Sequence, residues 1–95
     1  MALLIKIENG DTSLKWVTPK EKTYSLEELQ EFVGGDIELV FIPHSDMCMV
    51  INEEGKIMHL PVNPFATSIY NVFFDNRYHD IIVGNVLLCV NNEIE

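Results

Sequence analysis

The sequence has little positive charge and no long apolar run. Six lysine and arginine residues stand against 15 aspartate and glutamate residues, and the formal net charge is −9 at pH 7. Binding nucleic acid by neutralising its phosphates needs clustered lysine and arginine, so we expect no direct nucleic-acid binding. An anionic membrane surface is disfavoured for the same reason. No apolar stretch approaches the roughly 18 residues of a membrane-spanning helix.

Cysteine is also scarce. Cys48 and Cys89 lie far apart in apolar segments, and we expect two buried, reduced thiols in a cytoplasmic protein. A single disulfide in a secreted protein is the alternative. The opening MALLIKIENG lacks a basic leader and a small-residue cleavage site, which favours a first strand over a signal peptide. The length of 95 residues predicts one domain, with residues 91–95 as a frayed tail.

Signatures of cofactor and metal sites are missing. Gly34-Gly35 follows a helical segment instead of preceding one, so it is not a phosphate-binding loop. His44, Asp46 and Cys48 alternate, but this is not a recurrent zinc spacing and no second ligand pair follows. We expect no metal and no cofactor. An enzyme using His44, His59 or Cys48 is the least favoured alternative, because two of these groups would have to lie within hydrogen-bonding reach.

The best-specified stretch runs from Tyr24 to Pro43. Ser25 is placed as a helix N-cap with Glu28 as its capping-box partner. Gly34 is placed to adopt the left-handed conformation that ends a helix. Helical periodicity puts four apolar residues on the inward face, namely Leu26, Leu29, Phe32 and Val33.

A strongly apolar strand follows this helix. Ile37, Leu39 and Phe41 share one face of it and are expected to meet the helix. Val40 and Ile42 make the other face apolar as well. A strand that is apolar on both faces indicates a central position in the sheet, or contact with a partner.

Two hairpins flank the helix and strand. Residues 3–7 and 12–17 are predicted to pair around Asn9-Gly10, a type I′ turn signal. Residues 47–51 and 56–60 are predicted to pair around Glu53-Glu54-Gly55, with Gly55 in the left-handed region.

A second helix and a last strand complete the chain. Asn63 is predicted to cap the helix and Pro64 to open it. Its apolar spacing runs to about Asn76 through Phe65, Ile69, Val72 and Phe73. Residues 80–91 form the last strand, and Gly84-Asn85 within it is either a hairpin turn or a bulge. Trp16, Phe65 and Phe73 are assigned to core faces.

The order of these elements is β-β-α-β-β-β-α-β. Hairpins mixed with helices indicate an α+β fold with a small mixed or antiparallel sheet and two short helices. The opening β-β-α-β has the order of a β-grasp fold.

Four segments together resemble a family of small bacterial and phage proteins catalogued as domain of unknown function 3846. They are SLEELQEFVGGDIELV at 25–40, INEEGK at 51–56, LPVN at 60–63 and DIIVG at 80–84. The resemblance implies a small intracellular protein, often carried on mobile elements. It brings no established activity and no catalytic residues.

Two groups of polar residues are candidate binding sites. Residues 23–54 carry eight acidic residues and no lysine or arginine. Five of these form a candidate face for a basic protein partner: Glu27, Glu28, Glu31, Asp36 and Glu38. The second group is a candidate polar rim for a ligand or partner, formed by Asn52, Glu53, Glu54 and Asn63. The same residues also suit a turn and a helix cap.

We therefore expect a non-catalytic binding protein from a phage, prophage or plasmid. It would occupy a host factor or a small ligand, for instance as a counter-defence protein whose acids imitate a nucleic-acid backbone. The alternative is a self-assembling protein that buries Val40 and Ile42, or Tyr70 and Phe74, against another copy. The sequence leaves homo-oligomerisation open. A nucleotide-messenger binder would depend on Lys56 and Arg77.

Overall fold

The structure, a computed structural model, describes residues 1–74 and 80–94. Over these residues it has five strands, two α-helices and a closing 3₁₀ helix. The strands are β1 (Ala2–Glu8), β2 (Asp11–Val17), β3 (Ile37–Phe41), β4 (Met47–Asn52) and β5 (Val86–Val90). The helices are α1 (Leu26–Val33), α2 (Pro64–Phe73) and the 3₁₀ turn Asn91–Glu93. The α+β class and the order of the elements are confirmed, with one strand absent from residues 56–60.

The strands form one antiparallel sheet in the order β2-β1-β5-β4-β3. The β1–β2 hairpin closes as predicted, because Asn9 and Gly10 both have positive φ angles, of 52° and 83°. A type I′ turn needs this at both central positions, and its twist matches that of the strands.

A buried cluster lies on each face of the sheet. On one face, Leu29 and Val33 of α1 pack with a group of sheet residues that includes Leu4, Val50 and Leu87. On the other face, Ala66 of α2 packs with a group that includes Met49. Alternation along the strands therefore separates a layer on the α1 side from a layer on the α2 side.

Helix α1 begins and ends where the sequence predicts. The N–H of Glu28 donates to Ser25 Oγ at 3.2 Å, and the N–H of Ser25 donates back to Glu28 Oε1 at 3.0 Å. Gly34 ends the helix with φ 81°. The inward face is narrower than expected, because Leu26 is 55% exposed. Leu29 and Val33 are the buried residues of α1, and Phe32 packs against the same cluster.

Strand β3 lies at the edge of the sheet, so the prediction of a central strand is wrong. Its second apolar face has another cause: Ile42 is buried and Val40 packs on the α2-side cluster. Helices on both faces, rather than strands on both sides, explain the apolar pattern. Phe41, expected to face α1, is 59% exposed.

Residues 56–60 form turns instead of the predicted strand. The N–H groups of Met58 and Leu60 donate to the carbonyls of Glu54 and Gly55, at 2.9 and 3.0 Å. These local bonds satisfy the donors that a strand would have offered to a neighbour. Gly55 is not among the residues with positive φ. It is required by close packing, since an added Cβ would lie 2.9 Å from Cγ2 of Val83.

Helix α2 has the predicted start but a different inward face. Asn63 Oδ1 accepts from the N–H of Ala66 at 3.1 Å, and Pro64 occupies the first turn. Ala66, Ile69 and Tyr70 contact the α2-side cluster. The predicted core residues Phe65, Val72 and Phe73 are 40%, 75% and 51% exposed. The expected end at Asn76 lies outside the described residues.

Gly84-Asn85 is neither a hairpin turn nor a bulge. Gly84 has φ 76° and forms a bend that leads into β5. Before it, Val83 makes an isolated bridge to Val62. Only residues 86–90 of the predicted last strand enter the sheet.

Residues 91–94, part of the tail predicted to fray, form hydrogen bonds with the rest of the fold. The N–H of Asn91 donates to the carbonyl of Asp46 at 2.7 Å, and the N–H of Tyr24 donates to the carbonyl of Glu93 at 2.7 Å. Ile94 bridges Tyr24 and packs on the α1-side cluster. Glu95 lies outside the described residues. Within the described ranges, no helix has the length and apolar character needed to cross a membrane.

Candidate functional site

The two predicted polar sites meet at one corner of the sheet. The N–H of Glu53 donates to the carbonyl of Asp36 at 2.9 Å, which places the turn after β4 beside the start of β3. Exposed acids from both segments are thereby joined. We call the following six exposed residues the acidic surface: Glu27, Glu31, Asp36, Glu38, Glu53 and Glu54.

Within residues 1–74 and 80–94, no lysine or arginine forms an ion pair with the acidic surface. The ion pairs found in residues 1–74 and 80–94 are Lys56–Asp80 and the Met1 amino group with Glu93. Neither involves a carboxylate of the acidic surface. The last turn of α1 contains no basic residue, so the partial negative charge of that helix end adds to the field.

The acidic surface extends over α1, β3 and the turn after β4. Glu27 and Glu31 project from the outer side of α1, because Leu29 and Val33 face the sheet. Glu38 is paired with Ile51, whose side chain packs on the α2-side cluster. Directly paired residues share a face, so Glu38 lies on the side opposite α1.

Glu28 has a structural role instead. Its carboxylate accepts from the N–H and the hydroxyl of Ser25 and from the N–H of Lys20, at 3.0, 3.2 and 3.1 Å. The backbone hydrogen bond from Ser25 is the largest cause that lowers the pKa of Glu28. Its oxygens are occupied by the capping box, so Glu28 stands apart from the acidic surface.

Asn52 is buried at the end of β4. Its Nδ2 donates to the carbonyl of Val33 at 3.1 Å, and its Oδ1 accepts from the N–H of Glu54 at 2.8 Å. The side chain thus ties the C-terminus of α1 to the 53–54 turn. It holds the acidic residues in place, and its own polar atoms face inward.

Asn63 is also buried, and both its Nδ2 and its Oδ1 form hydrogen bonds. Besides capping α2, its Nδ2 donates to the carbonyls of Ile5 and Gly84, at 3.1 and 2.9 Å. Asn63 therefore connects α2, β1 and the bend before β5. Of the four predicted rim residues, Glu53 and Glu54 are the exposed ones.

The candidate catalytic groups are not brought together. His44 and His59 are exposed residues with positive φ. Cys48 is buried opposite Cys89, with the two Sγ atoms 3.8 Å apart, and both thiols are free. No hydrogen bond joins any two of His44, His59 and Cys48. Among the described residues, no group of three or more His, Cys, Asp and Glu side chains is placed to hold a metal ion.

The apolar residues considered for self-assembly are engaged within the chain. Ile42 is buried, and Val40 and Tyr70 pack on the α2-side cluster. Tyr70 also stacks on Phe74, with ring centroids 4.3 Å apart. Trp16, which was assigned to a core face, is 65% exposed on the edge strand β2.

Comparison with known proteins gives a family and no activity. A family model described as Domain of unknown function (DUF3846) matches residues 3–95. No curated protein and no solved structure matches the chain.

Proposed function

The chain belongs to this family of unknown function, and from its own surface we propose that it is a non-catalytic, cytoplasmic binding protein that occupies a basic partner. The partner is a host factor, and the protein is a counter-defence product of a phage, prophage or plasmid. The acidic surface imitates the charge of a nucleic-acid backbone toward a factor that normally binds nucleic acid.

One observation carries this proposal: the six exposed carboxylates of α1, β3, Asp36 and the 53–54 turn form no ion pair with any lysine or arginine of the described residues. Carboxylates that form no ion pair among the described residues can pair with a partner without first breaking one of those pairs. Their field also speeds encounter with a positively charged surface, an effect that falls as ionic strength rises.

The arrangement of the acids supports a rigid rather than an adaptable surface. Glu27 and Glu31 stand on a capped helix, and Glu38 stands on a paired strand. Glu53 and Glu54 are positioned by backbone hydrogen bonds to Asp36 and to Asn52. A backbone that is already ordered loses little conformational freedom on binding.

The test is affinity capture from host lysate followed by mass spectrometry, at low and high salt. The baits are the wild-type protein and the triple variant Glu27→Lys, Asp36→Lys, Glu38→Lys. A matched control, Glu8→Lys, Asp11→Lys, Glu21→Lys, makes the same change of net charge outside the acidic surface.

We expect the wild type and the control to recover the same partner at low salt, and the triple variant to lose it. Duplex DNA added to the wash should release the partner. Equal recovery by all three baits at both salt concentrations would refute a role for the acidic surface.

A further inference from the structure

A groove between α1 and the β1–β2 hairpin has a different charge character from the rest of the molecule. We infer that this groove binds a small organic anion, such as a phosphate- or carboxylate-bearing metabolite. The inference goes beyond the proposed function, because the lysines of the groove lie outside the acidic surface, with which it shares Glu31 alone, and because it does not depend on a protein partner.

The groove has the size of a small-molecule site. Its volume is about 570 Å³, within the 300–1,000 Å³ typical of ligand pockets. It lies on the α1 side of the sheet, beside the part of β1 and β2 that the helix does not cover. Leu4, Trp16, Val17 and Phe32 supply its apolar lining.

Half of the cations in the chain converge on this groove. Lys6, Lys15 and Lys20 line it, out of six lysine and arginine residues in the sequence. None of the three ammonium groups forms an ion pair with the described residues. In a protein of net charge −9, three lysines without an ion pair to the described residues make this groove the most favourable place for an anion.

The hairpin register brings two of these lysines together. Leu4 pairs with Lys15 and Lys6 pairs with Ser13, so Lys6 and Lys15 are diagonal neighbours on the same face. Such neighbours have Cα atoms about 7 Å apart, close enough for their charges to repel. An anion bound between Lys6 and Lys15 would be attracted by both ammonium groups, and this attraction would offset their mutual repulsion.

The third lysine is positioned by the helix cap. The N–H of Lys20 donates to Glu28 Oε2 at 3.1 Å, which fixes the loop before α1 against the groove wall. Two carboxylates also line the groove. Glu28 keeps its negative charge while it accepts the cap hydrogen bonds, so Glu28 and Glu31 both oppose an anion, and the three lysines outnumber them. This gives Lys15 and Glu31 opposite effects on binding.

The test is isothermal titration calorimetry of the full chain with three probes: pyrophosphate, citrate and adenosine 5′-diphosphate. We expect saturable binding that weakens as salt is raised. Tighter binding of pyrophosphate than of citrate would assign the anion as phosphate, and the reverse order as carboxylate. Tighter binding of the nucleotide than of pyrophosphate would show that the apolar lining contributes.

Single variants identify the groove as the site. Lys6→Gln, Lys15→Gln and Lys20→Gln should each weaken binding roughly fivefold, the effect of one exposed charge pair near 4 Å. Glu31→Gln should strengthen it by a similar factor. Lys22→Gln removes an exposed lysine outside the groove and should leave the affinity unchanged.

Two results would overturn the inference. One is the absence of saturable binding of all three probes at millimolar concentration. The other is an equal loss of affinity in Lys22→Gln and the groove variants, which would reveal non-specific attraction. Unchanged thermal unfolding of each variant confirms that the fold is intact.

Discussion

The N–H of Glu53 donates to the carbonyl oxygen of Asp36 across 2.9 Å, and this bond joins two acidic segments that are separate in the sequence. Asp36 immediately precedes β3, and Glu53 is the first residue after β4. Because both belong to the same end of one antiparallel pair, their charges reinforce each other. The acidic surface therefore depends on the fold as well as on composition.

Replacing Asn52 should loosen this corner. Asn52→Ala leaves the Val33 carbonyl and the Glu54 N–H without their side-chain partners. Losing buried hydrogen bonds of this kind costs about 2 kcal/mol, which urea denaturation would measure. Asn92→Ala, at an exposed position, is the control and should change stability by less than about 0.5 kcal/mol. Equal losses of stability in the two variants would show that the hydrogen bonds of Asn52 to Val33 and Glu54 do not stabilise the fold.

Tyr24 should make stability fall at alkaline pH. Burial first, and then the charge of Glu93, raise the pKa of Tyr24 to about 12 from its ordinary 10.0. Between these values the folded chain holds a proton that the unfolded chain has lost. The contribution of Tyr24 to the free energy of unfolding is therefore complete below pH 10 and is lost as pH rises through 12. The loss is on the order of 2 kcal/mol.

The matched variant for this prediction is Tyr24→Phe. At pH 7 it should be about 1 kcal/mol less stable, because the hydroxyl donates to the Val17 carbonyl. From pH 10 to 12 its stability should fall less than that of the wild type. The measurement is the free energy of unfolding of both proteins by denaturation at each pH. An equal fall from pH 10 to 12 in both would show that Tyr24 is not the group responsible.

The cysteine pair should be chemically inert in the folded protein. Cys48 and Cys89 are direct cross-strand partners, and neither is more than 1% exposed. The hydrogen bond with Cys48 and burial both raise the pKa of the Cys89 thiol. Ellman's reagent should detect no thiol in the native protein and two per chain in denaturant without reductant. A count of zero in denaturant would reveal a disulfide.

Trp16 should report an exposed position on β2. It is the single tryptophan and is 65% exposed. Its native fluorescence should resemble that of the unfolded chain and be quenched readily by acrylamide. Blue-shifted, protected emission that is lost on dilution would indicate that another copy covers β2.

Local signals were sufficient for α1 and the first hairpin. Ser25, Glu28 and Gly34 specify the helix ends through neighbouring backbone groups, and Asn9-Gly10 specifies its own turn. None of these requires knowledge of distant residues. The start of α2 at Asn63 was predictable for the same reason.

Long-range contacts determined what the sequence did not reveal. Residues 56–60 have the alternation of a strand, but Leu60 packs toward Gly84 and the segment bonds to itself. Ala66 lies at the centre of the inward face of α2. The predicted face was placed on Phe65 and Phe73 because their side chains are larger and more apolar. The position of β3 at the edge follows from β5 pairing with both β1 and β4.

The candidate sites show the same division. The acidity of residues 23–54 was visible in the sequence, but the contact between Asp36 and Glu53 was not. The groove could not be predicted, because the β1–β2 register brings Lys6 near Lys15, and the hydrogen bond from the Lys20 N–H to Glu28 brings Lys20 to the same groove. The available signal was that residues 1–22 carry four lysines against three acids, in a chain that is otherwise acidic.

The most direct measurement is the salt dependence of affinity for the captured partner, by titration with the wild type, the Glu27→Lys, Asp36→Lys, Glu38→Lys variant and the matched control. The wild type and the control should lose affinity steeply as salt rises, and the triple variant should bind weakly at low salt with a much shallower slope. Identical slopes and affinities for the three proteins would contradict binding through the acidic surface.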